Sequence, residues 1–202
     1  PGGSWEFVAT AFRWSLDAFH GRFPGYLPID ARYHDLEHTL QGVTCMVGIL
    51  QGYHTAEATP KITRKDFELG LYAILLHDTG YLKRKEDPDG TGAKYTLVHV
   101  KRSMDFAAAL LRQHGFSATD IKSVQNMISC TGVNVDLSSV PFQSETERIV
   151  GFALGTGDLL GQMAADDYVA KLPILFDEFA EAQRYSGGTG GTRIGFSSAG
   201  DL

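Results

Sequence analysis

The chain has 202 residues, 43% of them hydrophobic and 21% charged, which suits one domain with a substantial core and excludes a disordered chain. Its net charge of -6 argues against a general nucleic-acid binder, which needs surplus Lys and Arg to displace counterions from phosphates, and leaves room only for a local basic patch. No apolar run approaches the roughly 20 residues of a membrane span, and two distant cysteines, Cys45 and Cys130, make neither a disulfide framework nor a zinc ribbon.

In chain order the sequence reads as one helix after another. Its start, PGGSWEF, has neither a charged nor an apolar leader pattern, so no secretory signal is expected and a reducing cytoplasm suits the two thiols. Ser4 can cap a first helix, in which Phe7, Val8, Phe12, Trp14, Leu16 and Phe19 recur at helical steps. GRFPGYLPID breaks it. A second helix is predicted over residues 33 to 53, with Leu36, Leu40, Val43, Val47 and Leu50 as its buried stripe. Thr63 caps a third, which carries Phe67, Leu69, Leu71, Ile74 and Leu75 up to His77. Residues 79 to 94 form a long loop, of the kind that is often functional. A fourth helix covers 95 to 114 and ends at Gly115. Ser117 with Asp120 starts a fifth, and Ser144 with Glu147 forms a capping box for a sixth. A last helix over 164 to 183 contains Pro173, which should kink it or mark its start. With no alternating strand pattern and no repeat, the expectation is an all-α domain over 1 to 184, followed by a Gly-rich tail over 185 to 202.

Three pieces can carry chemistry. In YHDLEHT, His34 and His38 lie four apart, and one helix would put both on one face, as a metal pair or as half-buried polar residues. In LYAILLHD, His77 and Asp78 stand just beyond a run that must be buried. Unpaired, they would cost several kcal/mol, so they need either each other or a divalent cation. Asp158 is the only charged residue between Arg148 and Asp166, and is costly there unless paired or metal-bound.

The ordered set of His38, the His77-Asp78 doublet and Asp158 resembles the HD-domain superfamily of metal-dependent phosphohydrolases. YHDLEHT is similar to the Tyr-His-Asn-x-x-His-Ala signature of the cyclic-nucleotide phosphodiesterases within it. The resemblance spans about residues 30 to 165. It implies an HD-like bundle of about six to seven helices, with His38, His77, Asp78 and Asp158 as ligands of one or two divalent ions (Mg, Mn, Fe or Zn). It also implies catalytic roles: Asp78 bridging metals or orienting the nucleophile, and His34 as the general acid. His99 is the candidate fifth ligand, toward a second metal; the plain alternative is a helix-surface histidine. Departures are Asp35 in place of Asn and TGYLK after the doublet, where alarmone hydrolases have Glu-Asp. Gly-Tyr-Pro, the histidine string of dNTP triphosphohydrolases and a recognisable Gln and aromatic clamp are also missing.

Six of the 18 Lys and Arg residues fall within the twenty positions from Lys83 to Arg102. Lys83, Lys101 and Arg102 are the candidates for holding a substrate phosphate, although interleaved Glu86, Asp87 and Asp89 also fit a solvated charged face. His20, His54 and His114 sit near predicted helix ends and read as structural or surface residues. The expected activity is hydrolysis of a phosphoester, on a (cyclic) nucleotide or related small molecule, with no membrane and no general nucleic-acid partner; a homodimer is compatible with the sequence. The alternatives are a catalytically silent, metal-containing HD module that binds a nucleotide or partner in signalling, and a di-iron oxygenase.

Overall fold

Local capping sets where most of the helices begin. The computed structural model describes residues 5–132, 135–186, 198 and 200. Among these the helices are α1 (Glu6–Phe19), α2 (Leu36–Thr55), α3 (Arg64–Leu76), α4 (His99–Gln113), α5 (Ala118–Ser129), α6 (Glu145–Met163) and α7 (Tyr168–Tyr185), with three short 3-10 turns and no strand. The fold is an all-α bundle, as expected. Thr63 and Asp66 form a reciprocal capping box on α3, while the side chains of Asp35, Ser117 and Ser144 accept from the third residue of α2, α5 and α6. Gly115, at φ +77°, follows α4 in the left-handed conformation that ends helices. Ser4 and most of the expected tail lie outside the described residues. No helix among the described residues is long and apolar enough to cross a membrane.

α3 is the centre. Every residue from Leu69 to Leu76 is buried, as in a helix apolar all round, and α1, α2, α5 and α6 pack against it. The chain therefore delivers His77 and Asp78, at the end of α3, into the interior.

Several elements depart from the sequence expectation. α2 starts at Leu36 rather than at 33, and its buried face is turned: Leu40 is exposed, while His38, Thr39, Gly42, Val43, Met46 and Leu50 are buried. α4 starts at His99, because residues 92–95 close a 3-10 turn capped by Thr91. α7 starts at Tyr168 and holds Pro173 inside it; the carbonyl that Pro173 leaves unbonded is that of Val169, a residue open to solvent. Glu147 does not complete the capping box. Its carboxylate turns inward to accept from Ser123 Oγ, Asn126 Nδ2 and Gln143 N.

α6 lies close against α2 because glycines face the contact. A Cβ on Gly157 would stand 2.8 Å from Met46 N, and one on Gly161 2.8 Å from the Gln41 carbonyl. This approach brings α2 and Asp158 together. Gly157→Ala is expected to force the helices apart and cost about 1–3 kcal/mol, read as a lower urea midpoint with unchanged helix content.

Both cysteines are free thiols. Burial, with Glu147 nearby, pushes the Cys130 thiol up to about 12, so it stays protonated at neutral pH and makes a poor nucleophile. In native protein at pH 8 a disulfide reagent is expected to label at most Cys45. Cys130→Ser should leave the labelling rate unchanged.

Candidate metal centre

Three helices bring four ligand atoms together. His38 is the third residue of α2, His77 ends α3, Asp78 follows it, and Asp158 lies toward the C-terminal end of α6. His38 Nε2 stands 3.0 Å from Asp158 Oδ1 and 3.5 Å from Asp78 Oδ2. His77 Nε2 stands 3.1 and 3.2 Å from the same two oxygens. Atoms bound about 2.1 Å from one cation lie roughly 3.0–3.4 Å apart, so this spacing fits a shared ion. All four residues are buried.

The hydrogen bonds around the cluster are arranged for an ion as well. His77 Nδ1 lies 2.6 Å from the Ile74 carbonyl and must donate to it, so Nε2 is the nitrogen that faces the cluster and would bind an ion once deprotonated. Both Asp78 carboxylate oxygens are buried without a hydrogen-bond partner; His38 Nδ1, on the side of its ring away from the cluster, also lacks one and does not bear on the ion. Buried polar atoms are rarely left so, and two bare carboxylate oxygens are the donors a hard or borderline cation takes. His38, His77 and Asp78 can hold a metal ion, and Asp158 closes the group. In the bare cluster, burial opposes charge on His77, but Asp78 and Asp158 outweigh it and raise its pKa to about 10. Asp78 and Asp158 are in turn held below the usual carboxylate range, the histidines outweighing their burial. A cation would take the place of protons here.

Asp35, the departure from the phosphodiesterase signature, is a helix cap. Its Oδ1 accepts from His38 N at 2.8 Å at the start of α2. Asn and Asp serve equally well at that position.

His34 is not on the helix with His38. It lies in the bent segment before the helix, tied to α7. Glu178 of α7, buried, accepts from Tyr33 N and bonds His34 Nδ1, each at 2.6 Å. Tyr33 also donates its hydroxyl to Gln162 of α6. The His34 ring lies 5.4 Å from that of His38. It stacks at 4.6 Å on Tyr81, which is fully buried, and His99 stacks on Tyr81 at 4.7 Å. The two histidines stand 5.7 Å apart, so both lie on the same side of the Tyr81 ring, which serves as their floor. Burial works against charge on His34, but Glu178 and the nearby carboxylates raise its pKa overall.

Sequence reading missed Glu178 and Tyr81. Glu178 had a signal: it shares a helical stripe with Leu175 and Ala182, where an acid needs a partner.

His99 opens α4 with Nδ1 2.6 Å from the Thr96 carbonyl and Nε2 3.9 Å from Asp78 Oδ1. Burial pushes its pKa down to about 4, which leaves a neutral ring with a lone pair toward Asp78. The helix start comes this close because residue 80 is glycine. A Cβ there would lie 2.0 Å from the His99 carbonyl oxygen.

The candidate phosphate-binding residues are placed otherwise than expected. Lys83 is buried, bonded to Asp30 at 2.9 Å and to the Gly90 carbonyl at 2.5 Å. Arg102 donates to the Gly80 and Leu82 carbonyls at 2.7 and 2.6 Å and covers the Tyr95 ring. Lys101 is exposed and bonds both Asp105 oxygens at 2.5 Å. Lys94 is bonded to Asp87 and the Asp89 carbonyl. Lys83, Lys94 and Arg102 thus hold the 79–95 loop in shape. His20, His54 and His114 are exposed, at helix ends.

A cavity of about 670 Å³ opens over the centre, with His34, His38, Asp78 and Asp158 in its wall. Comparison with protein-family models, with curated proteins and with solved structures finds no match.

Proposed function

We propose that the chain is a metal-dependent phosphoric ester hydrolase of the HD type, acting on a phosphodiester such as a (cyclic) nucleotide or a related small molecule. The observation that carries this reading is the pair of bare Asp78 oxygens among three further ligands, on the wall of a cavity that also holds a Glu178-bonded histidine. His38, His77, Asp78 and Asp158 would hold the ion, and His99, with Nε2 3.9 Å from Asp78 Oδ1, would be the further ligand available to a second. A divalent ion at such a centre lowers the pKa of a water and polarises a phosphoryl oxygen.

The chain's own groups supply the rest. Asp78 orients the attacking water. As the water oxygen bonds to phosphorus, it releases one proton to solvent, the ester P–O bond on the far side breaks, and His34 delivers its Nε2 proton to the departing oxygen and regains one from solvent afterwards. Glu178 fixes the ring by its Nδ1 and supports the imidazolium before transfer. A silent binding module needs no such acid: a carboxylate-oriented histidine beside the ligands favours turnover.

The test is to quantify metals in purified protein and screen phosphodiesters and phosphomonoesters with added Mn, Mg or Fe. Turnover of a diester supports the reading. No hydrolysis under any metal overturns it in favour of the binding module, and an oxygen-dependent iron spectrum would indicate the oxygenase.

A further inference from the structure

The hydrolase reading leaves open what the ester carries, and the cavity wall bears on this. Leu97 and Val98, before α4, are 38% and 52% exposed; Leu159 and Met163 of α6 are 49% and 56% exposed. Single exposed apolar side chains are ordinary. These four belong to one cavity, together with Met104 and Phe179, and apolar surface gathered at one opening marks a binding site.

Charge points the same way. Among the described residues, the Lys and Arg side chains on this wall are Lys101 and Arg102. Arg102 is committed to two backbone carbonyls, which leaves Lys101, exposed and only loosely paired with Asp105, as a single mobile cation. Polar wall groups are also engaged: Ser129 and Thr131 donate to carbonyls of their own chain segment, and Gln162 is bonded to Tyr33 and to the Asp158 carbonyl. A polyphosphate brings several charges that need several free cations. A singly charged ester needs only the metal centre.

We infer, resting on the hydrolase reading, that this site takes a singly charged phosphodiester bearing a bulky apolar group, seated between the 97–98 turn and the end of α6, and that it rejects polyphosphates. The ester oxygens meet the centre while the apolar group covers Leu159 and Met163. The same chemistry could come from an aromatic ring or an alkyl chain.

Two esters with the same charge and leaving group test this on the full chain with Mn: 4-nitrophenyl phenyl phosphate and 4-nitrophenyl methyl phosphate. The phenyl ester is expected to have a kcat/KM at least about tenfold higher, and a 4-nitrophenyl octyl ester tells ring from chain. Binding is read separately by calorimetry with diphenyl phosphate, dimethyl phosphate and inorganic tripolyphosphate, with and without Mn. Diphenyl phosphate should bind at least about tenfold more tightly than dimethyl phosphate, and tripolyphosphate more weakly than either. Met163→Glu, at a position half in solvent, should bring the phenyl-to-methyl ratio close to one without changing metal content. Equal binding of the two diesters, or preferred binding of tripolyphosphate, overturns the inference even if an ester is hydrolysed. Preferred binding of diphenyl phosphate with no hydrolysis of any ester upholds the apolar seat and overturns the hydrolase reading instead.

Discussion

Asp78→Ala is expected to lose both stoichiometric Mn binding and turnover of every diester. Asp78 is the one member of the cluster whose two carboxylate oxygens are both buried without a hydrogen-bond partner. One faces His38 and His77 at 3.5 and 3.2 Å, and the other faces His99 at 3.9 Å. The substitution therefore removes the carboxylate that stands among all three histidines and would be the central ligand of a bound ion. Losing a group that merely orients a ligand costs roughly 10–100-fold in affinity, and losing this carboxylate should cost more. Calorimetric titration with Mn and metal analysis measure the first effect, and diester hydrolysis the second. The fold should persist, because the α3 core from Leu69 to Leu76 is untouched; circular dichroism checks this. If Asp78→Ala bound Mn stoichiometrically and kept its turnover, the assignment of the centre would be wrong.

The centre was legible in the sequence where charge interrupts apolar pattern. His77-Asp78 closes a buried run, and Asp158 stands alone in a long uncharged stretch, so each announced a need for a partner. The face of α2 was misread for the opposite reason. Leu40 counts as apolar in a periodicity, yet the helix turns His38, Gly42 and Met46 inward, because α6 presents Gly157 and Gly161 to them. Close helix contact is driven here by small residues, which a hydrophobic stripe does not register.

The basic run was misread because a sequence shows charges and not their partners. Lys83 and Lys94 find carboxylates and carbonyls close at hand, most of them within their own loop, and are buried with them. Arg102 reaches back some twenty residues to the doublet's loop. For Glu178 the sequence shows the need for a partner but not which residue supplies it. Glu178 meets His34 across 144 residues of chain, a pairing that only the docking of α7 creates.

Glu178→Gln is therefore the sharpest probe of the acid. Glutamine keeps the size of the side chain, and its amide oxygen can still accept from Tyr33 N. Its amide nitrogen would then face His34 Nδ1, where the carboxylate oxygen now stands at 2.6 Å. That nitrogen donates, so the ring must turn its Nδ1 lone pair toward it, and an imidazolium at this place would have no acceptor for its Nδ1 proton. The charged form that delivers a proton is thus disfavoured while the metal ligands stay untouched. Turnover is expected to fall by roughly 10²–10⁴, the range for losing a general acid, with metal content and diphenyl phosphate binding unchanged. His34→Ala should fall as far. The double variant should fall no further than His34→Ala, because the two residues act as one unit. A double variant whose loss equals the product of the single losses would place Glu178 outside the proton transfer, as a tie between α7 and the Tyr33 segment.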